Sequence, residues 1–138
     1  MVCFASHAPA IEIEGLVSDV QDGDTITLAK LDESYRVRLV DIDAPELAQA
    51  FGKESRTSLR EMCLFKVATI DTHGEDRFGR TLARVKCAGV DANAEQVRRG
   101  MAWVFIRYAP KGSPLYTLEA EARATRRGLW SEQDPTAP

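Results

Sequence analysis

The sequence is poor in the residues that bind transition metals. It contains two histidines, His7 and His73, which lie far apart in the chain. Its three cysteines, at positions 3, 63 and 87, show none of the spacings that are typical of zinc ligands. A zinc site is therefore not expected.

Long apolar runs are also missing, although 44% of the residues are hydrophobic. No stretch approaches the roughly 20 apolar residues of a membrane-spanning helix, so a membrane protein is not expected. The 138 residues suffice for one hydrophobic core and are too few for two. We expect one domain over residues 11–131, between a flexible N-terminal segment (1–10) and a loose C-terminal tail (132–138).

The cysteines leave one structural question open. Cys63 and Cys87 form a disulfide if the fold brings them together, and otherwise remain two free, buried thiols. The sequence alone favours the free thiols, because nothing in the spacing indicates that the two residues meet.

Charge is unevenly distributed along the chain. The net charge is −3, but residues 1–50 carry 10 acidic and 3 basic groups, whereas residues 51–138 carry 11 and 15. A mild excess of acid disfavours nucleic-acid binding. A divalent cation held by the acidic first third would remove that objection.

The periodicity predicts an α+β fold, a five-stranded oligonucleotide-binding (OB) β-barrel with three packed helices. Extended patterns predict three strands in succession, followed by a fourth and a fifth. They cover Ile11–Val20, Thr25–Leu28, Tyr35–Val40, Lys66–Ile70 and Thr81–Val85. The predicted helices run from Lys53 to Phe65, from Asp91 to Gly100, and from Ser113-Pro114 to Arg127, the last followed by Trp130 packed on the core.

Two acidic segments are candidates for chemistry. Asp22-Gly23-Asp24-Thr25 is typical of a hairpin turn, an interpretation about three times as probable as a metal site for this segment taken alone. Asp43 lies in an apolar setting in the segment from Arg38 to Glu46. Oxygen ligands without histidine or cysteine favour calcium, held by Asp24, Asp43 and the backbone carbonyl of Ala44.

A third segment, Asp76-Arg77-Phe78-Gly79-Arg80, predicts a turn that delivers an arginine to a strand. By itself it indicates a surface turn. An arginine that faces a metal can hold a phosphate with two parallel hydrogen bonds.

Taken in order, these three segments resemble the staphylococcal nuclease family. The resemblance runs from about Gly15 to Trp130 and includes Asn93, Val97-Arg98-x-Gly100 and Gly128-Leu129-Trp130. It implies the barrel fold and a calcium-dependent endonuclease that leaves 3′-phosphate ends on DNA and RNA.

The resemblance also implies roles for individual residues. Asp24, Asp43 and the Ala44 carbonyl match the calcium ligands, and Asp22 matches a carboxylate near the ion. Glu46 matches the general base that activates water. The two arginines that grip the scissile phosphate are matched by Arg38 and Arg80.

Substrate-binding residues are matched less completely. Tyr108 matches a stacking tyrosine, whereas Ile106 and Phe78 stand where the family type has tyrosines. Phe78 can stack on a base but cannot donate a hydrogen bond, and Arg77 beside it is a further candidate for substrate contact. Asp41 is an additional carboxylate to which the resemblance gives no role.

One geometric requirement follows from the strand period. Arg38 and Asp43 are separated by an odd number of positions, so a regular strand would point them to opposite faces. We therefore predict a bulge or strand end between Leu39 and Ile42.

Two other functions fit part of the sequence. A catalytically inactive nuclease-like module would bind nucleic acid or a protein partner, and a structural calcium-binding protein would use Asp22, Asp24 and Asp43. The first is disfavoured because Asp24, Asp43, Glu46, Arg38 and Arg80 are all present. The second leaves Glu46 and the two arginines without a task. We expect a monomer without a protein partner. Export to the periplasm or medium is the expected location, since the family is commonly secreted and residues 1–8 are compatible with a trimmed signal peptide; a cytoplasmic location is the alternative.

Overall fold

The structure is a computed structural model that describes residues 11–133 and residue 135. The expectations for residues 1–10 and for most of the C-terminal tail lie outside the described residues. Within the described part of the chain, no helix is long and apolar enough to cross a membrane.

Five strands form a closed barrel, as the sequence predicts. The strands are β1 (Glu12–Asp22), β2 (Thr25–Lys30), β3 (Glu33–Leu39), β4 (Ile42–Asp43), β5 (Val67–Glu75), β6 (Thr81–Cys87), β7 (Val90–Asp91) and β8 (Trp103–Val104). The main sheet has the order β3-β2-β1-β5-β6-β7, and a parallel pairing of β3 with β6 closes it. The two-residue strands β4 and β8 pair with each other outside the barrel.

The first three strands form a meander because each connection is a tight turn. Gly23 and Asp24 join β1 to β2, and Leu31 and Asp32 join β2 to β3. Alternate residues of β3 and β6 point inward, so that Val37, Leu39, Ala83 and Val85 are all fully buried. The barrel strands are longer than predicted, since polar residues continue the ladder beyond the apolar positions.

Three helices pack on the barrel: α1 (Gly52–Cys63), α2 (Ala92–Arg98) and α3 (Leu115–Ala124), followed by a 3₁₀ turn (Gly128–Ser131). All three are shorter than predicted. The α2 helix ends just before Gly100, which has a left-handed φ of 72°. Ser113 Oγ accepts a hydrogen bond from the Leu115 amide, at 3.2 Å, and so lies at the start of α3.

The C-terminal turn buries a different residue from the one expected. Leu129 is 2% exposed, whereas Trp130 is half-buried and packs edge-on against Trp103. The leucine is the core residue, because the Leu129 amide donates to the Gly100 carbonyl and draws this turn onto the end of α2.

The preference for free thiols at Cys63 and Cys87 was wrong. The two residues form a disulfide that links the last residue of α1 to the last residue of β6, with 5.1 Å between their Cα atoms. Both cysteines are fully buried. Their separation of 24 residues carries no information about distance in space, which depends on how α1 packs across the barrel.

Candidate active site

The segment from Asp22 to Thr25 is the hairpin turn between β1 and β2. Asp22 Oδ1 accepts the Asp24 amide at 3.0 Å, which fixes the turn from its own side chain. Gly23 is required by space: a Cβ there would lie 1.9 Å from Ser55 Oγ and 2.8 Å from the Ala44 Cβ. Helix α1 and the Ala44 segment therefore press against this turn.

Asp24 is a buried carboxylate at the tip of that turn, with 6% of its surface exposed. Its Oδ2 accepts the Ala44 amide at 2.8 Å, and its Oδ1 accepts the Thr25 hydroxyl at 3.1 Å. Burial raises the pKa of Asp24 to about 7; Arg38 opposes the rise and the neighbouring Asp22 adds to it. A cation at this point would stabilise the ionised form.

Arg38 joins Asp24 to Asp43. One terminal nitrogen of its guanidinium lies 3.3 Å from Asp24 Oδ2 and 3.2 Å from Asp43 Oδ1. The other terminal nitrogen donates to the Ile42 carbonyl at 2.9 Å. The two carboxylates thus lie within two hydrogen-bond lengths of each other.

The chain reaches this arrangement by leaving the strand, as predicted. β3 ends at Leu39 and β4 begins at Ile42, and Asp41 between them has a left-handed φ of 66°. The turn changes the face on which the following residues emerge.

Asp43 is half-buried and shares the acidic environment. Burial raises the pKa of Asp43, Arg38 opposes the rise, and the carboxylates of Asp22 and Glu46 add to it. Four carboxylates therefore interact in a region where Arg38 supplies the compensating charge. Among the described residues, no group of three or more His, Cys, Asp or Glu side chains is placed so that together they could hold a metal ion.

Glu46 follows the buried Pro45 and lies outside any helix or strand. The residue is exposed, and its negative charge contributes to the raised pKa of Asp43.

Arg80 lies immediately before β6, the strand that pairs with the strand of Arg38, β3. Leu82 is the register partner of Arg38, and Arg80 precedes Leu82 by two residues. If the alternation of side chains along β6 is extended back by one residue, Arg80 falls on the same face of the sheet as Arg38. Asp76 anchors Arg80 by accepting its Nε at 2.8 Å and its amide at 3.0 Å.

The predicted substrate contacts are exposed. Phe78 is 70% exposed, and the guanidinium groups of Arg77 and Arg80 lie 5.1 and 5.8 Å from its ring centre. Tyr108 is 64% exposed and packs edge-on against Phe105 with 5.1 Å between ring centres. These rings are accessible to bases.

The charges that act on Asp41 come from outside the acidic cluster. Burial raises the pKa of Asp41, and the nearby His73 and Arg84 oppose the rise. The Asp41 carbonyl accepts the Phe105 amide at 2.8 Å, which ties the Tyr108 loop to the turn after β3.

Two buried amides of α2 hold both turns of the site, and this role was not predicted from the sequence. Asn93 donates to the Val40 carbonyl at 2.9 Å and accepts the Val85 amide at 3.0 Å. Gln96 donates to the Gly23 carbonyl at 2.8 Å and to the Ser55 carbonyl at 3.1 Å. The available signal in the sequence is the amide of Gln96, which stands between charged residues at positions 95 and 98. The hydrogen-bond partners of such an amide cannot be predicted from its position in the sequence.

A third buried polar residue supports the site from α3. Glu119 accepts the Val104 amide at 2.7 Å. Val104 belongs to β8, the partner strand of β4, and Asp43 pairs with Trp103 in that ladder. The backbone of Asp43 is therefore fixed from its outer side.

Comparison with known proteins agrees with this architecture. The family model described as "Staphylococcal nuclease homologue" matches residues 36–132. An "Uncharacterized endonuclease" of Escherichia coli is 40% identical over 141 residues, covering 100% of this chain and 92% of that protein.

Two other relatives have similar coverage. A "Micrococcal nuclease" of Shigella flexneri is 37% identical over 148 residues, covering 100% of this chain and 85% of the relative. "Protein ParB" of Escherichia coli is 39% identical over 137 residues, with coverages of 92% and 77%.

Proposed function

Since this chain belongs to the staphylococcal nuclease family and its relatives include nucleases, we propose that it is a calcium-dependent endonuclease acting on DNA and RNA. The observation that carries the proposal is the Arg38 guanidinium between the Asp24 and Asp43 carboxylates. Burying charged groups from separate turns next to one another costs free energy of folding. Binding of a phosphodiester therefore explains this cluster better than a contribution to stability does.

The donor set fits calcium. Asp24, Asp43 and the Ala44 carbonyl offer oxygen ligands, and Asp22 adds negative charge beside them. Calcium takes six to eight oxygen ligands and accepts water among them, so an incomplete protein cage suits it. Around Asp24 the carboxylates outnumber the guanidinium groups, and this excess of negative charge favours the binding of a dication. When bound, calcium would stabilise negative charge on the phosphoryl oxygens.

The residues of the chain divide the remaining work. Glu46 takes a proton from the attacking water, whose oxygen forms the new bond to phosphorus. The bond from phosphorus to the 5′ oxygen breaks, solvent supplies the proton to that oxygen, and a 3′-phosphate remains. Arg38 and Arg80 donate hydrogen bonds to the phosphoryl oxygens as their charge grows.

Neighbouring exposed residues would bind the rest of the strand. Phe78 and Tyr108 stack on bases, and such stacking tolerates any base sequence. Arg77 forms an ion pair with the phosphate backbone of the nucleic acid. We propose that the enzyme acts as a monomer without a protein partner.

The disulfide supports an exported location. Disulfides persist in the periplasm and outside the cell, and are rare in the reducing cytosol. We therefore propose that the protein works in an oxidising compartment, which fractionation of a producing cell followed by thiol labelling would test.

A cleavage assay with end-group analysis tests the proposed reaction. Single-stranded DNA and RNA of equal sequence, incubated with enzyme and calcium, should yield internal cuts with 3′-phosphate and 5′-hydroxyl ends. Binding of both strands without cleavage would replace this proposal with a catalytically inactive binding module. Products with 5′-phosphate ends would contradict the proposed direction of attack.

A further inference from the structure

In the loop from Glu46 to Phe51, between β4 and α1, a single residue, Gln49, forms hydrogen bonds with the backbone of Glu46. Gln49 Oε1 accepts the Glu46 amide at 2.8 Å, and the Gln49 amide donates to the Glu46 carbonyl at 2.9 Å. The Gly52 amide donates in turn to the Gln49 carbonyl at 3.0 Å. Both peptide groups that flank the Glu46 side chain are therefore bonded to Gln49.

The loop has little room to adopt another shape. A Cβ on Gly52 would lie 2.0 Å from the Glu46 carbonyl oxygen and 2.8 Å from the Leu47 Cα. Phe51 takes a left-handed φ of 64°, an uncommon conformation for a bulky residue. Local strain of this kind persists where surrounding contacts hold it, and it is frequent at functional sites.

The Gln49 side chain lies between the loop and the C-terminal segment. It is half-buried and lines a cavity of about 190 Å³ together with Ala50, Leu129, Glu132 and Pro135. The C-terminal segment after α3 thus flanks the loop that carries Glu46.

Glu46 needs such support more than the other residues of the site. Asp24 has hydrogen bonds from Ala44 and Thr25, and Arg38 has several acceptors. The exposed Glu46 carboxylate forms no hydrogen bond with any described residue, so its position relative to water depends on its backbone. Misplacement of a reacting group by about 1 Å can cost about 100-fold in rate.

We propose that Gln49 is a positioning residue for this nuclease, which acts on the rate through the Glu46 backbone. The proposal rests on the role proposed above for Glu46. Loss of the Gln49 side-chain acceptor frees the Glu46 amide and broadens the directions of the carboxylate, while the acidic cluster and the two arginines are left unchanged.

A matched pair of variants isolates the acceptor. Gln49→Met keeps the length of the side chain and removes the acceptor, whereas Gln49→Glu keeps an acceptor oxygen. We expect Gln49→Met to lower kcat about tenfold, with KM for single-stranded DNA and the calcium midpoint changed less than twofold. Gln49→Glu should recover most of the loss. Hydrogen exchange of the Glu46 amide should accelerate in Gln49→Met and stay slow in Gln49→Glu.

Coupling to Glu46 separates positioning from general stability. In a Glu46→Gln background, with residual cleavage measured at high enzyme concentration, Gln49→Met should have no further effect. The same fold-loss in both backgrounds, or full activity of Gln49→Met in the presence of an intact Glu46, would overturn the positioning role alone. Full activity of Glu46→Gln would overturn the proposed base, and the positioning role with it.

Discussion

Arg38 and Asp43 form an ion pair of 3.2 Å although their side chains would lie on opposite faces of a regular strand. The two residues meet because the chain leaves β3 after Leu39, turns through Asp41 and starts β4 at Ile42. The same guanidinium reaches Asp24 in a different hairpin. One short turn thus brings together the groups on which the proposed chemistry depends.

Arg80 and Arg77 offer a matched test of phosphate binding. Both guanidinium groups lie near the Phe78 ring, but Asp76 anchors Arg80, which immediately precedes the strand paired with that of Arg38. We expect Arg80→Ala to lower kcat about 100- to 1,000-fold, because it removes charge stabilisation in the transition state. Arg77→Ala should chiefly raise KM. Initial rates over a range of DNA concentrations give both constants; equal effects of the two variants would contradict the separate roles.

Gln96 is expected to couple stability to activity. It is fully buried and donates to the Gly23 and Ser55 carbonyls, so Gln96→Leu leaves buried acceptors without partners. The free energy of unfolding should fall by about 1–3 kcal/mol. Since Gly23 precedes Asp24, kcat should fall as well. Urea unfolding and cleavage rates measure the two effects, with Gln133→Leu at an exposed position outside the site as a control that should change neither by much.

The Cys63–Cys87 disulfide should contribute substantially to stability. It closes a loop that runs from the end of α1 through β5 and β6, which restricts the unfolded chain. We expect reduction to lower the free energy of unfolding by about 2–4 kcal/mol. Urea unfolding with and without dithiothreitol measures the change. In the Cys63→Ala/Cys87→Ala variant the reductant should have no effect; an equal effect there would assign the loss to something other than this disulfide.

Glu95 should make stability depend on acid. Its hydrogen bonds with Arg98 and Arg99 lower the pKa of Glu95 to about 2, against an ordinary value of 4.5. Because the folded pKa lies below the unfolded one, the contribution is present above about pH 4.5 and is lost as the pH falls towards 2. Urea unfolding at pH 6 and pH 3 should show a smaller difference for Glu95→Gln than for the wild type. Glu132→Gln, as a control, should behave like the wild type.

The barrel was predictable because its strands alternate. The pattern of β-branched and polar residues around Thr25–Leu28 and Tyr35–Val40 defines which side chains point inward, and burial agrees with it. The interruption between Leu39 and Ile42 was also predictable from the alternation of side chains. Arg38 and Asp43 belong to one proposed site, but a regular strand would point them to opposite faces.

Other features depend on contacts between distant segments. Two-residue strands such as Ile42–Asp43 and Trp103–Val104 have no period to detect. The partners of Asn93 and Gln96 lie 8 to 73 residues away in the chain, and the meeting of Cys63 and Cys87 depends on the packing of α1. These features depend on tertiary packing, which cannot be predicted from the local pattern of a single sequence.

Calcium dependence of DNA cleavage tests the central claim most directly. The rate on a single-stranded oligonucleotide should rise from zero with added calcium, return to zero with excess EGTA, and recover when calcium is restored. Asp43→Ala should need a higher calcium concentration for its half-maximal rate, because one proposed ligand is lost. Equal turnover in calcium and in EGTA would contradict a mechanism based on a divalent ion between the two acidic turns.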